Sequence, residues 1–196
     1  AVLGLGAGAV KRNPEAGQTR RCQDNLRRIY QMAVKYQNDN NGALVPYVDK
    51  SNKGKWKFWY MFILKYGDDP TVFYCPANPK AAMFYKQESD PLEPKSFSES
   101  AQSYGMNYFL GNKKHELNIN NIAKPADIIY FADSKTPNLR GTKWCWKTDW
   151  APRHQKKANF VFMDGSVKLL GPDSLGICQK WENWKQDRTN WYGWKK

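Results

Sequence analysis

The chain contains no apolar run long enough to cross a membrane. The stretch Ala1–Val10 supplies about half of the ~20 residues a spanning helix needs, and it lacks the basic start of a whole signal peptide. Histidine is scarce, with only His115 and His154 present, so a Ser-His-Asp or Cys-His site must use one of these two. Neither a Gly-x-Ser-x-Gly elbow nor a Cys-containing active-site signature accompanies them. No two cysteines stand in a Cys-x-x-Cys pair, which argues against the usual structural zinc spacing and a thioredoxin-like motif. Recognisable nucleic-acid modules are also missing: there is no zinc-finger spacing, no RNA-recognition signature and no clear helix-turn-helix, and the lysines are spread along the whole chain. Gly4-x-Gly6-x-x-Ala9 matches a dinucleotide-binding fingerprint by letter, but no strand precedes it and Pro14 interrupts the stretch after it. Internal repeats are absent.

What remains is a chain able to fold as one domain. Its 196 residues are 41% apolar, enough for a real core despite a mean hydropathy of -0.80. Aromatic residues make up 15%, so the core can be built from few but large side chains, with some left for a surface. Acidic residues number 18 against 31 Lys and Arg, a net charge of +13. That charge attracts anions in general, or keeps a surface protein in solution. Cys22, Cys75, Cys145 and Cys178 are even in number and dispersed, which suits one or two disulfides in an oxidising compartment; four buried thiols in a cytosolic protein are the other reading.

Residues 18–37 read as an amphipathic helix. Cys22, Leu26, Ile29, Tyr30, Ala33 and Val34 fall on one apolar stripe, Arg20, Arg21, Arg27, Arg28 and Lys35 on the other face, and 38–42 supplies residues that tolerate a left-handed stop. A second short helix is expected at Trp56–Tyr66, closed by Gly67. Val72–Cys75 reads as a short strand stopped by Pro76, and 86–103 and 134–153 read as loop regions. The apolar run Ile128–Asp133 suits a central strand. Asn159–Met163 and Ser166–Leu170 flank Asp164-Gly165, a hairpin signal in which both turn residues accept positive φ. Helices first and strands afterwards, without βαβ alternation, predict an α+β fold with an antiparallel sheet.

These pieces together resemble a known group. His154, nine residues, then Asp164-Gly165 fits the spacing that defines a processing-associated C-terminal domain of bacterial type IV pilin-like proteins, relatives of the type II secretion pseudopilins. Cys22-x-x-Asn25-Leu26-Arg27-x-Ile29, Tyr36-x-x-Asp39-Asn40-x-Gly42, Phe73-x-Cys75-Pro76, Ser103-Tyr104-Gly105-Met106-Asn107 and Phe131-Ala132-Asp133 match the same group in order. The match covers residues 1–171. Two features depart from it. The prepilin peptidase site and the long hydrophobic helix of the group are not complete here, so Ala1–Val10 reads as the tail of that helix, and Ser166 stands where the group tends to have a second His.

The resemblance implies an N-terminal helix packed on the sheet, with 1–42 as the remainder of the pilin helix and 43–171 as the globular domain; 172–196, outside the match, reads as a Trp- and Lys-rich extension packed on the same domain. It implies a disulfide between Cys22 and Cys75 that staples helix to sheet, leaving Cys145 and Cys178 as the other pair. It implies a non-enzymatic subunit outside the cytoplasm, at the periplasm or cell surface. An inner-membrane anchor and other pilin-like or secretion-system subunits would be its neighbours, and no specific nucleic acid is expected. Asp133, His154 and Asp164 are the one cluster with the chemistry to hold a divalent cation such as calcium or to move protons. The plainer reading makes Asp164 a turn former, His154 a loop partner and Asp133 a strand end, with no cofactor. Trp181, Trp184, Trp191 and Trp194, interleaved with lysines, can stack on a glycan or another anionic polymer, or pack as a lid on the domain.

Overall fold

The computed structural model describes residues 13–51, 57–78, 103–111, 117–139 and 149–171. Helix α1 runs Pro14–Asp39, longer at both ends than the expected 18–37. Pro14 does not interrupt it but opens it, at a position where no intrahelical N–H bond is lost, and the Asn13 side chain accepts from Glu15 N at 3.0 Å as the cap. The far end closes as a Schellman turn: Asn41 takes φ 53°, and Gly42 N donates back to Gln37 O at 2.8 Å. Cys22, Leu26, Ile29, Met32, Ala33 and Gln37 form its buried stripe. No helix among the described residues is long and apolar enough to cross a membrane.

After α1 come a two-stranded ribbon, β1 (Val48–Asp49) with β2 (Lys57–Phe58), and the short helix α2 (Trp59–Ile63). The expected helix Trp56–Tyr66 is thus shorter: Lys57 and Phe58 pair with Asp49 and Val48 instead, and the last turn, Leu64–Tyr66, tightens to 3-10 geometry before Gly67. The expected strand Val72–Cys75 is corrected as well. Residues Pro70–Phe73 form a 3-10 turn, because Asp69 caps Thr71 through N and Oγ1 while Pro70 fixes the entering φ.

The main sheet consists of β3 (Tyr104–Asn107), β4 (Ile129–Asp133), β5 (Asn138–Leu139), β6 (Ala158–Phe162) and β7 (Val167–Leu170), in the order β5-β3-β4-β6-β7. Its neighbours are antiparallel except β3 and β5, which are parallel. The α+β class therefore stands, with the wholly antiparallel sheet corrected to a mixed one. The chain reverses after β4, passes over β3 and so runs alongside it in the same sense. Part of the expected loop 134–153 becomes this edge strand.

A bulge in β4 decides which side chains meet α1. Ile129 pairs with Phe162 and Phe131 with Val161, so two steps along β4 match one along β6. Tyr130 and Phe131, which strict alternation would place on opposite faces, both join the core under α1, their rings stacked 4.1 Å apart. Ile129 and Ala132 face the other way, onto Leu139, Trp150, Phe160 and Phe162. Both faces of the sheet are covered, which is why β3, β4 and β6 are buried along their whole lengths.

The hairpin lies at Asp164-Gly165 as expected, with a different turn. Only Gly165 has positive φ, at 85°, while Gly165 N donates to Phe162 O and Phe162 N to Ser166 O, both at 2.9 Å. This is a tight turn followed by one left-handed glycine, the three-residue loop that ends in a bulge. Asp164 holds it from the side chain, accepting from Ser166 N and Oγ at 2.9 and 2.7 Å. A Cβ on residue 165 would sit 2.7 Å from Tyr30 Cε1 on α1, and the Tyr30 hydroxyl donates to Met163 O at 3.0 Å. Gly165→Ala combines this clash with left-handed backbone. It is expected to lower the unfolding free energy by about 2 kcal/mol in urea titration, against about 1 kcal/mol for Tyr30→Phe.

Candidate functional site: a buried Cys, Asp and His cluster under the first helix

Four chain segments converge beneath the N-terminal half of α1. The helix contributes Cys22 and Thr19, and the segment after the Pro70–Phe73 turn contributes Cys75. Asp133 is the last residue of β4, and His154 precedes β6. Cys22 and Cys75 form a disulfide with Cα atoms 5.3 Å apart. One ligand atom from each of Cys22, Cys75, Asp133 and His154 lies within 4.8 Å of the others, and all four residues are fully buried.

His154 is aimed by an unusual turn. Its N and O exchange hydrogen bonds with Lys157 O and N at 3.1 and 2.9 Å, and the two residues between, Gln155 and Lys156, have φ of 54° and 60°. This is the turn with two left-handed residues that the sequence suggested for Asp164-Gly165, built here without Gly, Asn or Asp. Gln155 N donates to Glu15 Oε1 at 2.9 Å, which ties the turn to the first turn of α1. Replacing the pair, Gln155→Asn with Lys156→Gly, is expected to raise the unfolding free energy by about 1 kcal/mol, because only backbone strain is relieved.

The ring orientation of His154 follows from Thr19. The Thr19 hydroxyl donates its single proton to Glu15 O at 2.9 Å, so its oxygen accepts from His154 Nδ1 at 3.2 Å. Nδ1 therefore carries the proton. The bare Nε2 faces inward, 3.4 Å from Cys75 Sγ and 3.6 Å from Asp133 Oδ2. Asn159 N and Nδ2 donate to that same Oδ2 at 2.6 and 2.9 Å, while Asp133 Oδ1 and Asn159 Oδ1 are buried without a hydrogen-bond partner. Arg153 stands beside the cluster, its guanidinium donating to Ser103 O and Ser134 O at 3.0 and 2.6 Å.

Burial pushes the Asp133 carboxyl up to about 7, against the opposing pull of the Asn159 hydrogen bonds and the Arg153 charge. Burial, with Arg153 next, holds the His154 imidazole below its ordinary range, while Glu15 pulls it the other way. The folded chain keeps a proton on Asp133 that the unfolded chain releases above 3.8. This carboxyl's contribution to stability is thus present below that value and lost as pH rises through about 7. His154 has the opposite sense, weakening the fold as pH falls. Asp133→Asn isolates the first effect: relative to the parent chain, the variant is expected to gain stability as pH rises from about 4 to about 7, measured by urea unfolding with the disulfide closed.

Of the residues singled out from sequence, Asp133 and His154 meet, and Cys22 and Cys75 meet in the same place. Asp164 does not join them. It sits in the β6–β7 turn beside Tyr30, eight residues or ~12 Å along α1 from Cys22, with its side chain engaged by Ser166. Cys145, Cys178, Trp181, Trp184, Trp191 and Trp194 lie outside the described residues. Sequence reasoning missed that the cysteines and the Asp–His pair form one cluster, and it missed Thr19 and Asn159 as its supports. A signal was present: Cys22, Cys75, Asp133 and His154 each belong to one of the ordered motifs that carry the family resemblance. Comparison with protein-family models, with curated proteins and with solved structures finds no match to this chain.

Proposed function

We propose that the chain is a non-enzymatic, pilin-like structural subunit of an envelope filament or secretion pseudopilus, working outside the cytoplasm. The observation that carries this reading is where the defining motif acts: both of its ends grip the same helix. His154 reaches Thr19 near the start of α1 and Cys75, the disulfide partner of Cys22, and the Asp164-Gly165 turn seats Tyr30 about three turns beyond Thr19. A subunit that transmits load through its N-terminal helix needs the helix locked to the head at more than one point. Here a disulfide, a buried imidazole and a hairpin do so on one face. The disulfide suits an oxidising compartment. The burial of Cys22, Cys75, Asp133 and His154 leaves a substrate no face to approach, which supports a structural over a catalytic role.

The test is processing and assembly of the gene's complete product. Expressed with a prepilin peptidase, it is expected to be cut ahead of α1 and recovered in the membrane or sheared-filament fraction. Release of an uncut, monomeric product overturns the proposal.

A further inference from the structure

The cluster under α1 has a geometry that its disulfide does not explain. In a tetrahedral zinc site with bonds of about 2.0–2.3 Å, neighbouring ligand atoms stand ~3.3–3.8 Å apart. The Cys75 Sγ–His154 Nε2 and His154 Nε2–Asp133 Oδ2 separations, 3.4 and 3.6 Å, already have that length. The two sulfurs are too close because they are bonded, and all four ligand atoms lie within 4.8 Å of one another.

We propose that Cys22, Cys75, Asp133 and His154 form a redox-gated site for a zinc-type divalent cation, which the dithiol form binds and the disulfide form excludes. Thiol–disulfide exchange with a dithiol breaks the Sγ–Sγ bond. Two electrons and two protons pass to the protein sulfurs, and the reductant leaves as a disulfide. The cation then displaces the two thiol protons and takes two thiolates, His154 Nε2 and one Asp133 oxygen as ligands.

The surroundings are those of a metal site. His154 Nδ1–H is held by Thr19, the outer contact that fixes a ligating imidazole, and Nε2 keeps the lone pair. Asn159 grips one Asp133 oxygen through two donors, while Oδ1 is buried with no partner. A doubly charged cation with two thiolates and a carboxylate leaves one negative charge, which Arg153 balances. The donor set of two sulfurs, one nitrogen and one oxygen suits zinc over calcium or magnesium, which take oxygen. The site has no exposed face, so it is loaded as the chain folds.

The experiment uses the full chain carrying Cys145→Ser and Cys178→Ser, so that the only thiols come from Cys22 and Cys75. It is unfolded in urea, reduced with a phosphine, desalted and refolded in the presence of zinc or of cobalt(II). Expected are one zinc per chain in the reduced form, none in the oxidised form, and a cobalt adduct with thiolate-to-metal charge-transfer and tetrahedral visible bands. Thr19→Ala, which removes only the outer contact, is expected to weaken zinc binding about 10- to 100-fold. If the reduced chain unfolds without metal, zinc must restore its near-ultraviolet circular dichroism. The proposal is overturned by a folded reduced chain that takes no zinc, by equal binding to the oxidised chain, by cobalt bands without thiolate character, by Cys75→Ser retaining full affinity, or by failure of zinc to refold a reduced, unfolded chain.

Discussion

Removing the Cys22–Cys75 disulfide is expected to lower the unfolding free energy by about 4 kcal/mol. The bond closes a loop across a sequence separation of 53, and in the chain-entropy view most of its effect lies in restricting the unfolded ensemble. The folded state loses something too, since the bond fastens α1 to the segment that carries Val72 and Phe73 into the core. The double variant Cys22→Ala/Cys75→Ala is the cleaner test, because serine would leave two hydroxyls where both residues are fully buried. Urea unfolding in the presence of a chelator should give the full loss. Zinc added to the reduced parent chain should recover part of it, as binding to the native state alone requires, and should do nothing for the double alanine variant.

Trp59→Ala is expected to cost a similar amount, about 3–5 kcal/mol. Trp59 is fully buried where α2 meets the sheet, with ring centroids 5.0 Å from Phe131 and 5.8 Å from both Tyr60 and Phe73. Its Nε1 donates to Pro137 O at 2.9 Å, tying the β4–β5 connection to the core. Truncation to alanine opens a cavity between aromatic rings and removes one of the two hydrogen bonds that carbonyl accepts, leaving the one from Met106 N at 2.9 Å. Trp59→Phe keeps most of the apolar contact and should lose roughly half as much. Circular dichroism is the better readout, because the chain has 9 tryptophans.

Some of this was legible in the sequence because it is local. The stripe of Cys22, Leu26 and Ile29 follows helical spacing, and an apolar run as continuous as Ile129–Asp133 suits a strand covered on both faces. Val72–Phe73 misleads because its apolar content suggests a strand, while the Asp69-Pro70 cap just ahead favours a turn. The β4 bulge leaves no mark in composition; it emerges from packing Tyr130 and Phe131 together under α1. The turn at Gln155–Lys156 is invisible for a plainer reason: neither residue prefers left-handed backbone, and the tertiary contacts to Glu15 and Thr19 impose it. The cluster itself was half legible. The resemblance pointed to Cys22 with Cys75, and residue chemistry to Asp133 with His154, but that the two pairs coincide depends on how α1 crosses the sheet.

The order of the four cluster residues along the chain has a kinetic consequence. Both cysteines precede every strand of the main sheet, whereas Asp133 ends β4 and His154 arrives only just before β6. As the polypeptide is made or threaded through a channel, the sulfurs can meet an oxidant before the carboxylate and the imidazole exist. Early oxidation therefore puts the chain into the disulfide form first, which a dithiol must reopen before the proposed site takes a cation, and late oxidation leaves that site open. Under the proposed gate, which form a newly made molecule adopts first is a race between thiol chemistry and chain elongation.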